Sequence, residues 1–284
     1  MRHRERLDQT AVIDALAAEL ASLDELLSDL TDDEWSTPTA LRGWDVMANV
    51  AHIVGTEAML AGVDPPPDLD DVTSRPHVRN DIGGFNETWV AALADEAPAA
   101  VLDRLRTLTT ERLAALRAMD TEAWDAEGFT PAGLDTHGRF MRIRVFDCWM
   151  HEQDIRDAVG RPGHTTGPAV ELALDELETA MGFVVGKRAG APSGVTVTFA
   201  LHGGGHDRGA TDGVDRQIHV VVAERASVVA ALDGPATVMI RTDVHTFSRL
   251  AGGRTTPDAV GDAVAIDGDE DLGHRILANL SYTI

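Results

Sequence analysis

Two acidic residues and a histidine fall on one stripe of a helix predicted over about residues 137–159. Asp147, His151 and Asp154 are spaced four and then three apart, and residues with this spacing lie above one another on a helix surface. Carboxylate oxygens and imidazole nitrogens are ligands of catalytic metal ions. Because an i, i+4 pair lies within about 5–6 Å at Cβ, Asp147 and His151 could hold a metal together with a ligand from a facing helix.

The same half of this helix is apolar, so the ionisable stripe is expected to be buried. The apolar neighbours are Phe140, Ile143, Met150, Ile155 and Ala158, and the residues predicted to point the other way are Arg142, Glu152, Gln153 and Arg156. A buried carboxylate needs a cation, a hydrogen-bond network or a metal ion. Arg144, three residues before Asp147, could neutralise it in a structural ion pair, so the pattern alone leaves both interpretations open.

The third candidate ligand is His52, in the middle of a helix predicted over about residues 45–62. That helix is apolar almost all round, so it should be buried, and Asp45 is its expected N-terminal cap. Asp154 fits a supporting residue that accepts the other N–H of a ligating imidazole better than it fits a ligand, and an ordinary helix-stabilising contact is the equally good alternative. Cys148 lies about 100° around the helix from Asp147 and is interpreted as a packing residue rather than a nucleophile.

Other motifs in the sequence indicate a functional site less strongly. His202 and His206 are four apart, but Gly203, Gly204 and Gly205 between them predict a hairpin tip rather than a helix. The three glycines lack the context of a phosphate loop, and the chain has no Gly-x-Ser-x-Gly nucleophile elbow.

Composition restricts the class of protein. The 284 residues have a formal net charge of −23, which argues against nucleic acid as a partner because phosphate binding needs a basic surface. The single cysteine excludes an internal disulfide and is compatible with a reducing compartment. With neither an apolar signal core at the start nor a run of membrane-spanning length, a soluble cytoplasmic protein is expected.

The predicted elements form two domains, so the fold class is α+β overall. Helices are expected near residues 7–30, 45–62, 84–118 with an interruption near Pro98, and 137–159, with loops at 63–80 and 128–138. Four such helices favour a four-helix bundle spanning residues 1–162. Glycine and proline crowd residues 160–168, and a smaller α+β domain is expected over residues 167–284. Its predicted elements are helices at 169–187, 243–252 and 270–280 and strands at 195–200, 218–222 and 236–240.

Two local patterns resemble the mycothiol-dependent maleylpyruvate isomerase family, whose N-terminal half is a DinB-like four-helix bundle. They are Gly-Trp-Asp-Val-Met-Ala-Asn-Val-Ala-His at residues 43–52 and Asp-Cys-Trp-Met-His-Glu-Gln-Asp-Ile at residues 147–155. The resemblance implies that His52, Asp147 and His151 hold a divalent metal, typically Zn²⁺, and that the second domain is of the sterol-carrier type. The acid of the family is often glutamate, and Asp147 is one methylene shorter.

The resemblance also implies that the metal activates an external thiol, mycothiol, as cofactor or cosubstrate. The thiolate would then isomerise a small electrophilic substrate or be transferred to it. Arg249 and Arg254 are the candidate residues for binding an acidic substrate in a catalytic pocket. Glu152, predicted to face solvent, is poorly placed as a general base, which favours thiol activation over hydrolysis. The alternative is a non-enzymatic protein that binds a ligand or a partner and has only a structural polar network in the bundle.

Overall fold

The computed structural model describes residues 7–67, 72–203 and 215–283. The chain divides into two compact units, Met1–Pro162 and Gly163–Ile284. The predicted pair of His202 and His206 falls partly outside the described residues: His202 ends a strand, whereas His206 is not described.

The first unit is mainly helical. Its helices are α1 (Gln9–Ser28), α2 (Val46–Leu60), α3 (Asp81–Leu93), α4 (Pro98–Ala118), α5 (Thr121–Asp125) and α6 (His137–Val159). Helices α1 and α2 each pack against both α4 and α6, and α3 packs on α2. The four helices α1, α2, α4 and α6 therefore form the bundle, as the sequence pattern predicts.

Local signals set the ends of these helices. The Asp45 side chain accepts a hydrogen bond from the Ala48 backbone N–H at 2.8 Å and caps α2. Pro98 lies in the first turn of α4, where a missing N–H costs nothing, so the expected interruption divides the predicted helix of residues 84–118 into α3 and α4.

The segment predicted as a loop at residues 128–138 contains a hairpin instead. Strands β1 (Glu127–Thr130) and β2 (Gly133–Thr136) pair antiparallel, with Phe129 opposite Leu134. These two side chains are 64% and 70% exposed. With four residues in each strand and an exposed pattern, the hairpin lacks the alternation that would have indicated it.

The second unit combines a sheet with helices. Its elements are helices α7 (Pro168–Phe183), α8 (Val244–Ala251), α9 (Pro257–Val260) and α10 (Glu270–Ala278), and strands β3 (Thr196–His202), β4 (Asp215–Val222), β5 (Ala226–Val229), β6 (Val238–Asp243) and β7 (Ala265–Gly268). Within the described residues, five strands form one sheet in the order β5-β4-β3-β6-β7. Strands β3 and β6 are parallel, and the other pairs are antiparallel.

One face of this sheet forms the core of the second unit. Alternate residues of the three central strands, including Val197, Phe199, Ile218, Val220 and Ile240, are completely buried. The edge strands β5 and β7 have no fully buried residue, which explains why the sequence pattern did not predict them. Among the described residues, none of the helices combines the length and the hydropathy that crossing a bilayer requires.

Candidate metal centre

Helices α2 and α6 bring the three predicted ligands together. One donor atom from each of His52, Asp147 and His151 lies within 4.8 Å of the others. Nε2 of His52 is 3.1 Å from Oδ2 of Asp147, and Nε2 of His151 is 3.6 Å from Oδ1 of the same carboxylate. The two imidazole centroids are 4.7 Å apart. The sequence could not establish this proximity of His52 and His151, because it depends on how the two helices pack.

The three side chains differ in exposure. His52 and His151 are buried, whereas the Asp147 side chain is 29% exposed. Solvent therefore reaches the group through the carboxylate, while the imidazoles are enclosed by the bundle. An arrangement that is open on one side is what a catalytic metal site requires, because an external molecule needs access.

Two acceptors bind the other nitrogen of His151. Its Nδ1 is 2.8 Å from Oδ1 of Asn49 and 3.4 Å from Oδ2 of Asp154. Asp154 was the predicted supporting residue, and the structure places it there. Asn49 was not singled out, although it lies three residues before His52 and hence on the same face of α2.

An indole covers one side of the two imidazoles. The Trp44 ring lies 5.3 Å from the His52 ring and 5.8 Å from the His151 ring, measured between centroids. Its Nε1–H donates to Oε1 of the buried Glu87 at 2.5 Å. Glu87 also binds Arg75 and His77, so three donors converge on one carboxylate. This network fixes Trp44, and the sequence pattern did not predict its members as site residues.

The ion pair that the sequence left open as an alternative is present. The buried Arg144 donates to Asp147 and, at 3.0 Å, to Oε1 of Glu57. Glu57 also pairs with Arg112 at 3.4 Å. The two arginines and the two carboxylates balance each other formally, so the charge of Asp147 is compensated within the protein.

Burial and hydrogen bonding shift the acidity of the three residues. Burial lowers the pKa of His52, against the opposing effect of Asp147. Burial alone would raise the pKa of Asp147, but the neighbouring His52 and Arg144 hold it well below its usual range. Burial would likewise lower the pKa of His151, but the neighbouring carboxylates of Asp147 and Asp154 outweigh this effect and raise it. Asp147 is therefore ionised, as a metal ligand must be.

The donor set fits a zinc ion. Two imidazole nitrogens and one carboxylate oxygen are the protein ligands of several catalytic zinc sites, and they leave a position for an external ligand. The second nitrogen of His151 has the carboxylate and amide partners that ligating histidines use. The corresponding Nδ1 of His52 is buried and has no hydrogen-bond partner within the described residues.

Two expectations about α6 were wrong. Glu152 and Gln153 were predicted to face solvent, but their exposures are 0% and 1%. Because α6 packs against both α1 and α2, it has no solvent face at this level. Glu152 instead accepts a hydrogen bond from Ser22 at 2.7 Å and pairs with Arg156. Cys148 is completely buried, as expected of a packing residue, and burial raises the pKa of its thiol well above the usual value.

The predicted substrate-binding arginines both belong to the second unit. Arg249 lies in α8 and is 5% exposed. The backbone N–H of Arg254 donates to the Arg249 carbonyl at 2.8 Å, and its Nη1 donates to the Gly252 carbonyl at 2.7 Å. The two arginines are therefore neighbours, and their role in substrate binding stays a prediction.

Comparison with known proteins identifies relatives of this chain. Residues 16–156 match the family described as the mycothiol maleylpyruvate isomerase N-terminal domain. Two uncharacterized proteins of Mycobacterium tuberculosis, from strains CDC 1551 / Oshkosh and ATCC 25618 / H37Rv, are each 27% identical over 150 residues. The match covers 51% of this chain and 55% of each relative, so the chain spans about half the length of the curated relatives it matches.

Solved structures share the fold along most of the chain. The crystal structure of the mycothiol-dependent maleylpyruvate isomerase aligns with a TM-score of 0.56 at 18% identity, over 92% of this chain and 93% of that chain. A mutant of the same enzyme gives the same TM-score at 17% identity. These structural likenesses show the fold alone. The relationship to a known family rests on the match of residues 16–156. Residues 16–156, within the helical unit, therefore belong to the mycothiol maleylpyruvate isomerase N-terminal domain family.

Proposed function

We propose that this protein is a metal-dependent enzyme that activates a low-molecular-weight thiol, mycothiol, for isomerisation of a small electrophilic substrate or for transfer to it. The observation that supports this proposal is the convergence of His52, Asp147 and His151 within 4.8 Å, with the carboxylate open to solvent. The family membership of the helical unit points to the same chemistry.

The ligands in this proposal are Nε2 of His52, Nε2 of His151 and the carboxylate of Asp147, and the metal is zinc. When bound, the ion would supply a positive charge that lowers the pKa of an external thiol. The surrounding protein preserves that charge. Glu57 and Asp147 are balanced by Arg112 and Arg144, and the two histidines are neutral when they act as ligands, so these six residues leave the positive charge of the ion available to attract an anionic sulfur.

The sulfur in this proposal comes from outside the chain. Cys148 is the only cysteine, it is completely buried, and burial raises the pKa of its thiol well above the usual value. A buried thiol of this kind is a poor nucleophile. Trp44 covers one side of the imidazoles and reduces the access of water to the enclosed part of the site.

The proposed reaction starts with the external thiolate. Its sulfur forms a bond to one carbon of an electron-poor double bond, and the electron pair moves to the electron-withdrawing group of the substrate. Rotation about the new single bond and departure of the thiolate give the geometric isomer. Uptake of a proton at the neighbouring carbon gives a stable thioether instead. Arg249 and Arg254 are proposed to bind an acidic group of the substrate.

The second candidate function is a protein without a metal, in which the polar residues only stabilise the bundle. The ion pair between Arg144 and Asp147 favours this alternative, because it satisfies the carboxylate without any ligand. The two functions differ in whether a divalent ion binds with a stoichiometry of one.

The experiment that tests thiol activation is a titration of the cobalt-loaded protein with mycothiol and with simpler thiols. Coordination of sulfur should produce a thiolate charge-transfer absorption, and the Cys148→Ala variant should produce it equally because its own thiol is not involved. His151→Ala is the negative control. If the cobalt protein gives no sulfur signal and hydrolyses esters or amides without thiol, the proposal is wrong and the site is that of a hydrolase.

A further inference from the structure

The side-chain amide of Asn49 has only one orientation that fits its neighbours. Nδ2 of Asn49 donates to the backbone carbonyl of Asp45 at 2.8 Å, and a carbonyl can only accept. Nδ2 also donates to Oγ1 of Thr39 at 3.3 Å, and that hydroxyl gives its own proton to the Trp44 carbonyl at 2.9 Å. The amide oxygen of Asn49 is therefore the atom that faces His151.

This orientation determines which nitrogen of His151 carries the proton. Oδ1 of Asn49 lies 2.8 Å from Nδ1 of His151, and the second neighbour of Nδ1 is a carboxylate oxygen of Asp154 at 3.4 Å. Both neighbours accept hydrogen bonds, so Nδ1 must donate. Nε2 of His151 also faces an acceptor, Oδ1 of Asp147, but at 3.6 Å, which is beyond hydrogen-bonding distance. A neutral imidazole has one N–H, so a neutral His151 keeps it on Nδ1, where Asn49 lies at 2.8 Å, and its Nε2 carries a lone pair.

The geometry of His52 requires the opposite tautomer. Its Nε2 is 3.1 Å from Oδ2 of Asp147, and an ionised carboxylate only accepts. Nε2 of His52 must therefore donate. Its Nδ1 is buried and has no hydrogen-bond partner within the described residues, so no acceptor there stabilises a proton on Nδ1.

We propose that Asn49 is a positioning residue that prepares His151 for metal binding, and that the two imidazoles, when neutral, have opposite tautomers in the metal-free protein. His151 presents a free Nε2 lone pair, whereas His52 must first release the proton on its Nε2. Once its Nε2 is a ligand, His52 has its N–H on Nδ1, which lacks an acceptor within the described residues. His52 is therefore the last ligand to bind and the more easily displaced one. This ligand order rests on the proposed metal function, but the tautomers do not.

The tautomers can be measured directly in the metal-free, full-length protein. Two-bond ¹⁵N–¹H correlation spectra, recorded at an alkaline pH where the imidazoles are neutral, distinguish a proton on Nδ1 from one on Nε2. Spectra of His52→Ala and His151→Ala assign the signals. The expected result is Nδ1–H for His151 and Nε2–H for His52. Finding Nε2–H for His151, or the same tautomer for both rings, would overturn the proposal, and neither result depends on thiol chemistry.

Two variants at residue 49 separate orientation from folding. Asn49→Ala removes the nearer acceptor and leaves Nδ1 with Asp154 at 3.4 Å. A larger share of neutral His151 should then carry its proton on Nε2, towards Asp147, and zinc affinity should fall on the order of 10–100-fold, as when other hydrogen-bond partners of ligating histidines are lost. Asn49→Asp keeps an acceptor oxygen for Nδ1 but loses the N–H that donates to the Asp45 carbonyl. It should therefore be less stable, yet retain the Nδ1–H tautomer and more of the zinc affinity than Asn49→Ala. Competition with a chromophoric chelator measures the affinity, and thermal melting shows whether each variant is folded. Equal losses of affinity in two folded variants would show that the acceptor does not position His151.

Discussion

Replacing Arg144 by methionine tests whether Asp147 serves a metal or only an ion pair. Arg144 is 2% exposed and donates to both Glu57 and Asp147. Methionine keeps much of the volume but leaves both carboxylates without this cation. Removing one partner of a buried ion pair costs about 3–5 kcal/mol. Each kcal/mol lowers the Tm of a domain of this size by about 2–4 °C, so the expected loss is about 6–20 °C.

Zinc should restore much of this loss if Asp147 is a metal ligand. An ion present at about 100 times its Kd adds about 2.7 kcal/mol to the free energy of unfolding. In the Arg144→Met variant no guanidinium competes for Asp147, so zinc should bind more tightly and raise the Tm further than in the unaltered protein. The assay is thermal unfolding of both proteins with zinc and with a chelator.

The matched control is Arg112→Met. Arg112 is also buried and also pairs with Glu57, but its other hydrogen bond goes to the sulfur of Met141 rather than to Asp147. This variant should lose stability and gain no more from zinc than the unaltered protein gains. If zinc raises the Tm of neither variant nor of the unaltered protein, Asp147 is only part of a structural network and the metal proposal is refuted. Equal increases in the two variants would show that Arg144 and zinc do not compete for Asp147.

Three further changes test other parts of the first unit. His151→Ala should abolish stoichiometric zinc binding, and a full equivalent of metal in the purified variant, measured by mass spectrometry, would exclude His151 as a ligand. Glu87→Ala should cost about 1–3 kcal/mol, because it leaves the partly buried donors of Trp44, Arg75 and His77 without their acceptor. It should also shift tryptophan emission as Trp44 is released, and unchanged emission would contradict the role of Glu87 in fixing the indole. Glu19→Gln should be stabilising at neutral pH. Burial and the neighbouring Glu152 raise the pKa of Glu19 well above its ordinary value of 4.5. The protonated side chain therefore makes its full contribution to the free energy of unfolding below that pH. This contribution falls as the pH rises, because Glu19 ionises more readily in the unfolded chain than in the folded protein. Glutamine does not titrate, so its advantage should grow with pH by about 1.4 kcal/mol for each unit between the folded and unfolded pKa values. Glu25→Gln, at an exposed position of the same helix, is the control, and parallel pH profiles for the two variants would contradict the shift.

Helix periodicity was sufficient to predict much of the helical unit. Helix α6 has the predicted bounds, and the stripe of Asp147, His151 and Asp154 follows from its repeat alone. The cap of α2 at Asp45 follows from a similarly local signal. These features depend on residues within a few positions of each other, and such short-range information is contained in a single sequence.

The parts that escaped prediction depend on contacts between elements. Asn49 reaches His151 across two helices, and Trp44 is fixed by Glu87, which is 43 residues away in the chain. Glu152 was assigned to solvent because its own helix has polar neighbours there, yet α1 supplies Ser22 as a partner. A buried carboxylate with a partner on another helix has the same local sequence pattern as an exposed one, so periodicity cannot distinguish them.

The metal interpretation and the ion-pair interpretation assign different partners, a metal ion and Arg144, to the same carboxylate of Asp147. Asp147 is within reach of both imidazoles and is paired with Arg144, whose guanidinium also binds Glu57. The network is therefore satisfied in the absence of a metal, and a metal that takes Asp147 must weaken this pairing and displace the proton that His52 donates to it. Glu57 makes the exchange feasible, because Arg144 keeps a buried anionic partner when it yields Asp147. Zinc affinity should therefore depend on Glu57: in Glu57→Gln, Arg144 should bind Asp147 more strongly and weaken zinc binding, although residue 57 is not a proposed ligand. Unchanged zinc affinity in a folded Glu57→Gln protein would show that Arg144 and the metal do not compete for Asp147.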